Sequence, residues 1–79
     1  MAKQAKNYDD PVAERFRLIM DEHPHTGEKT TQKALAEAVG IRPQTISLYI
    51  DGTTKPTSDN LLKIAQYFDI STDYLLTGV

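Results

Sequence analysis

The sequence predicts an all-α domain of five short helices, and three observations carry that prediction. Apolar residues recur at three- and four-residue spacings in separate stretches along the chain. Capping residues, glycine and proline punctuate the ends of those stretches. No stretch shows the apolar–polar alternation of a half-buried strand, and there are no repeats or low-complexity tracts.

Residues 1–8 are polar, carry Lys3 and Lys6, and show no apolar period, so a flexible arm is expected ahead of one domain over residues 9–79. Asp10 is a good N-cap and Pro11 suits the first position of a first helix. Val12, Phe16, Ile19 and Met20 then fall on one face, which is expected to be core. His23-Pro-His-Thr-Gly-Glu-Lys29 stops that helix, because Pro24 disfavours helix at His23 and Gly27 supplies a turn. A second helix, capped by Thr30 or Thr31, presents Leu35, Ala36 and Val39 inward and ends at Gly40. Only Gly40, Ile41 and Arg42 separate it from a third helix, which Pro43 opens and Asp51-Gly52 closes. Ile46, Tyr49 and Ile50 are expected to face the core, leaving Gln44, Thr45, Ser47 and Leu48 more exposed. After the loop Thr53-Thr-Lys-Pro56, Thr57 caps a fourth helix carrying Leu61, Leu62, Ile64, Ala65 and Phe68. Ile70 plugs the core. Ser71 caps a short fifth helix with Tyr74, Leu75 and Leu76, and Gly78 stops it.

A chain of 79 residues has room for one economical core and little for a pocketed enzyme. There are no cysteines, so disulfides, thiolate zinc sites and cysteine nucleophiles are excluded together. No apolar run approaches the ~20 residues of a membrane span, and a cytoplasmic protein is expected. The net charge of −2 argues mildly against binding nucleic acid. Its distribution weakens the objection. Thr31 to Pro56 holds Lys33, Arg42 and Lys55 against Glu37 and Asp51, whereas Asp9, Asp10, Glu14, Asp21, Glu22 and Glu28 precede it and Asp59, Asp69 and Asp73 follow.

Two helices joined by so short a connection, over residues 31–50, are a helix-turn-helix pattern. Several features agree with it: Gln32, Leu35-Ala36 followed by Gly40, Ile46, Gly52, Lys55-Pro56 and the closing Ile70-Ser71…Tyr74-Leu75-Leu76. With these residues, Thr31 to Gly78 resembles the Cro/CI-type (XRE-like) helix-turn-helix family; the first helix fits by pattern only. The resemblance implies a compact five-helix, lambda repressor-like DNA-binding domain. Each feature also has a physical reason. Two crossing helices need a small residue where they meet, supplied by Ala36, and a glycine at the turn, supplied by Gly40. The helix that enters a major groove about 12 Å wide needs short polar or flat side chains on its outer face.

By this resemblance Pro43, Gln44, Ser47 and Leu48 match base-reading positions, while Thr31, Gln32, Thr45, Thr53, Thr54 and Lys55 match positions near the phosphate backbone. Gln44 can pair bidentately with adenine, which is worth about 1–3 kcal/mol of discrimination, and Leu48 can touch a thymine methyl. Leu48 suits a core position equally well. Gln32 lies where the amides and dipole of the second helix would face a phosphate. Arg42 departs from the family's small hydroxylated cap and instead can reach a phosphate or a guanine. Tyr49 is expected to pack, with its hydroxyl at the surface.

Other chemistry finds little support. His25-Thr-Gly-Glu-Lys29 looks like a linker between zinc fingers, but a finger needs cysteines, so no metal and no cofactor is expected and the two histidines are expected to be solvated. Asp9-Asp10 and Asp21-Glu22 are neighbours that point apart rather than converge, and Ser47 has no evident general base, so no enzyme is expected.

The expected function is that of a transcriptional repressor on a pseudo-palindromic double-stranded operator. One helix reads few bases, so a homodimer is expected, with Tyr74, Leu75, Leu76 and Val79 as the candidate seam. The resemblance also implies a longer regulator of which this chain is the DNA-binding portion. The alternative from another class is a protein-interaction module whose acidic surface binds a regulatory partner such as a toxin or antirepressor.

Overall fold

Asp10 and Pro11 open the first helix as the sequence predicts, in a computed structural model that describes residues 10–78. The predicted arm over residues 1–8, and Val79, lie outside the described residues. The helices are α1 (Pro11–Asp21), α2 (Gln32–Val39), α3 (Pro43–Asp51), α4 (Ser58–Phe68) and α5 (Thr72–Thr77), with no strand among the described residues. α1 packs on α3 and α5, α2 on α3 and α4, and α4 on α5.

The helix starts follow from single side chains. Asp10 accepts the Val12 amide at 3.0 Å, Thr31 the Ala34 amide at 3.1 Å, Thr57 the Asn60 amide at 3.2 Å and Ser71 the Tyr74 amide at 3.0 Å. Each satisfies a donor that a helix start leaves without an intrahelical partner. Of the two threonines open to that role at α2, Thr31 takes it. Thr30 is buried instead, its amide donating to the Met20 carbonyl at 2.8 Å. The turn between α2 and α3 depends on Gly40, whose φ of 75° lies in the left-handed region and whose amide returns to Ala36 O at 2.9 Å.

One cluster fills the centre: Phe16, Ile19 and Met20 from α1, Leu35 and Ala36 from α2, Ile46 and Tyr49 from α3, Ile64, Ala65 and Phe68 from α4, and Leu75 from α5. Ile41, inside the turn, joins it. Val39, Ile50, Leu61 and Ile70 pack on it half-buried. Two expectations about the core fail. Val12 is only half-buried, because Ala13 takes the inward position at the mouth of α1. Leu62 is 49% exposed, since successive helical residues are about 100° apart and its neighbour Leu61 already shares the inward stripe with Ala65 and Phe68.

The seven residues 23–29 are an ordered strap. His23 N donates to Glu28 O and Gly27 N to His23 O, both at 2.8 Å. His23 Nδ1 accepts the His25 amide at 3.0 Å. The His23 ring centroid lies 5.2 Å from that of buried Phe68, and His25 Nε2 hydrogen bonds to Asp69 O at 2.8 Å. The expectation of two solvated histidines holds for His25, which is exposed, and is corrected for His23, which is half-buried against Phe68; both nevertheless tie the α1–α2 connection to the end of α4.

A Cβ at Gly40 meets nothing within 4 Å, so Gly40→Ala is expected to cost only the backbone penalty of about 1–2 kcal/mol. Phe68→Ala is expected to cost about 3–5 kcal/mol, because it empties the centre of the core. Urea unfolding of both variants checks the ordering.

Candidate nucleic-acid interface

The outward side of α3 is decided by what its other side buries. Ile46 and Tyr49 are almost wholly enclosed, so Gln44, Ser47 and Leu48, at i, i+3 and i+4, form a stripe on the opposite surface. Gln44 is exposed, Ser47 half-buried, and Leu48 40% exposed. That exposure resolves the two roles open to Leu48 against the core. Pro43 is exposed in the first turn and Thr45 is half-buried. Arg42 occupies the N-cap position without a side-chain cap bond and is exposed, so its guanidinium is not committed to closing the helix. Tyr49 packs as expected, but its hydroxyl is not simply turned to solvent. It accepts a hydrogen bond from Asn60 Nδ2 at 2.8 Å, joining α3 to α4.

The predicted backbone-contact residues flank this helix. Thr31 and Gln32 are exposed at the start of α2 and line a groove with Ile50 at the far end of α3. Lys29 lines the same groove and was missed in the sequence; a lysine two residues before a cap is the signal that finds it. On the other side Thr53 N and Thr54 N donate to Leu48 O at 3.0 and 3.4 Å, so the 53–55 loop folds back onto α3. Lys55 is 78% exposed, but its ammonium lies 3.7 Å from the Asp10 carboxylate, itself only 6% exposed. A phosphate would have to compete with Asp10 for that charge, which the spacing of the sequence does not reveal.

One expected group does not form as predicted. Leu75 is 1% exposed and belongs to the monomer's own core, because its α5 face closes against α1 and α4; it is withdrawn from the candidate dimer seam. Tyr74 and Leu76 remain exposed on α5, and Val79 lies outside the described residues. Among the described residues no three His, Asp or Glu side chains gather to hold a metal, and no helix is long and apolar enough to cross a membrane.

Two helices over a glycine turn, the second presenting a polar stripe beside the exposed start of the first, define a helix-turn-helix domain of the DNA-binding kind. A family profile described as helix-turn-helix matches residues 28–75, more than half of the chain, and the chain belongs to that family, the Cro/CI-type or XRE-like proteins with a lambda repressor-like fold. The family and fold are those of DNA-binding transcriptional regulators, not of enzymes.

Among relatives, an uncharacterized HTH-type transcriptional regulator of Bacillus subtilis, YobD, is 33% identical over 63 residues, covering 80% of this chain and 52% of its own. The chain thus spans about half the length of that relative. The P22 c2 repressor, solved in complex with a synthetic operator, is 31% identical with a TM-score of 0.73, covering 86% of this chain and 96% of that one. The LexA repressor of Eubacterium rectale, at 22% identity and a TM-score of 0.76 over 96% of this chain and 73% of its own, shares the fold.

His23→Ala removes both a backbone-amide acceptor and a ring from Phe68. It is expected to cost about 1–3 kcal/mol and to speed amide hydrogen exchange at His25 and Thr26, read by native-state exchange.

Proposed function

We propose that this domain binds double-stranded DNA sequence-specifically as a transcriptional repressor, laying α3 in the major groove. The observation that carries this is the division of α3, with Ile46 and Tyr49 enclosed while Gln44 and Leu48 are exposed and Ser47 is half-buried between them. In that placement Pro43, Gln44, Ser47 and Leu48 meet base edges. Gln44 has the amide pair that matches adenine, Ser47 has a hydroxyl that can donate or accept, and Leu48 has a methyl pair for thymine. Thr31 and Gln32 bring the first-turn amides of α2 to a phosphate. Thr45, Thr53, Thr54 and Lys55 meet the backbone around α3, and Arg42 reaches a phosphate or a guanine from the start of the helix.

The local excess of positive charge in residues 31–56 supports this geometry despite the acidic total. So does the likeness to the P22 c2 repressor, which was solved with a synthetic operator. A DNA target places the action in the cytoplasm. The domain acts as a two-fold homodimer on a pseudo-palindromic site, since one α3 alone reads too few base pairs for useful specificity. Tyr74 and Leu76, exposed on α5, are the seam.

Selection from a randomised duplex pool is expected to yield a palindromic motif. Gln44→Ala is expected to relax one position of each half-site by about 1–3 kcal/mol. Lys55→Ala is expected to weaken all duplexes alike and to reduce the salt slope by about 1. Failure of the wild-type chain to bind any duplex at low salt sinks this reading and favours a protein partner instead. For the dimer, Leu76→Asp is expected to leave the monomer folded and to abolish the two-fold species on an operator-length duplex. Sedimentation of the complex reads this, and a wild-type protein that stays strictly monomeric on DNA overturns it.

A further inference from the structure

Two arginines of α1 leave their own helix for the C-terminal ends of two others. Arg15 Nη1 donates to Leu75 O in α5 at 2.8 Å, and Arg17 Nη1 donates to Ile50 O in α3 at 2.6 Å. The last four carbonyls of a helix lack intrahelical partners and carry partial negative charge, which a cation near the end satisfies. Neither α3 nor α5 has a basic residue in its own last turn. α1 supplies both. At α5 the fit is close, since a Cβ at Gly78 would stand 2.7 Å from Arg15 Nη2.

The bond at α3 differs in what it holds. Ile50 lies two residues beyond Leu48 on a helix of nine residues whose middle is anchored by buried Ile46 and Tyr49, so tying its carbonyl to α1 adds a fixed point at the C-terminal end and with it sets the tilt of the element. Hydrogen bonds to base edges need that direction within narrow limits, whereas attraction to phosphates varies gently with distance and angle. We propose that Arg17 is a positioning residue for base readout: by capping Ile50 O it holds α3 on α1 in the one orientation from which Gln44, Ser47 and Leu48 reach the bases. This rests on the assignment of α3 as the base-reading element.

Arg15 provides an internal control, being on the same helix and making the same kind of bond to α5, which carries no base-reading residue; because α5 also carries the proposed seam, sedimentation on the selected duplex checks that Arg15→Ala binds in the wild-type oligomeric state. The experiment compares Arg17→Ala, Arg17→Gln, Arg17→Lys and Arg15→Ala in the full chain. Each is titrated against the duplex selected by the wild type and against an unrelated duplex at several salt concentrations, with thermal unfolding alongside. Arg17→Ala is expected to lower the ratio of selected to unrelated affinity about tenfold, the scale of one good base contact, and to leave the unrelated duplex nearly unaffected. Arg17→Lys is expected to restore part of the ratio, because an ammonium donates to a carbonyl but lacks the planar fork. Arg15→Ala is expected to lose stability with the ratio unchanged. Arg17→Gln carries the comparison if the alanine variant is unfolded at the assay temperature.

An unchanged ratio overturns the proposal, as does an equal fall in both arginine variants that tracks their stability. A salt slope reduced by about 1 with the ratio intact also overturns it, making Arg17 a phosphate contact. A wild-type chain that selects no sequence overturns this proposal and the repressor assignment together; a wild type that selects, with Arg17→Ala equally selective, overturns this one alone.

Discussion

Everything the domain can do at a duplex depends on α3 being held by its inner side. A helix of nine residues is too short to persist in water on its own, so it exists because Ile46 and Tyr49 are buried. Burying side chains of this size contributes about 1.5–3 kcal/mol each, several times what local propensity supplies. The 3.6-residue period then dictates that Gln44, Ser47 and Leu48 cannot also be inside. Core formation and presentation of a polar stripe are therefore one event, and the Tyr49–Asn60 hydrogen bond extends the hold to α4.

The rest of the fold makes that anchorage possible within a small chain. α1, α2, α4 and α5 begin on Asp, Thr, Thr and Ser caps, which spend side-chain oxygens on amides that would otherwise go unsatisfied. α3 is the exception, opening on Arg42 and Pro43 with no side-chain cap. Proline removes one of the unsatisfied amides by having none, so the helix starts with the Arg42 carbonyl accepting the Ile46 amide at 3.1 Å and without a cap bond from the Arg42 side chain. Its other end is closed by Gly52, whose amide returns to Tyr49 O at 3.2 Å, and by Arg17, which reaches Ile50 O from α1. The element at the candidate interface is thus held at its C-terminal end both by its own glycine cap and by a neighbouring helix.

The strap over residues 23–29 shows the same economy. Its seven residues contribute no side chain to the central apolar cluster, yet they are pinned by backbone hydrogen bonds and by two imidazoles resting on the end of α4. Asp69, the one non-glycine residue with positive φ among the described residues, lies at that contact and offers its carbonyl to His25. The strap leads into Thr30 and Thr31, so its hold on α4 also fixes where α2 begins.

Much of this architecture was legible in order along the chain. The five helices, their caps and the glycine turn rest on interactions between residues two to five apart, which a linear pattern records directly. The stripe Gln44, Ser47 and Leu48 was legible for the same reason, because the period that buries Ile46 and Tyr49 turns Gln44 and Leu48 outward and leaves Ser47 at the edge, half-buried. What the pattern could not decide was anything that joins distant segments. Leu75 and Leu76 are equally apolar in sequence, and only the packing of α5 on α1 and α4 sends one into the core and leaves the other outside. The pairing of Lys55 with Asp10, the histidine strap on Phe68 and Asp69, and the reach of Arg17 to Ile50 span 33 to 45 residues. Which helices form and which face of each is apolar are local consequences of residue type and spacing, and both can be read along the chain. Which polar groups meet is a property of the packed fold, because a hydrogen bond or ion pair depends on where separate helices place their ends.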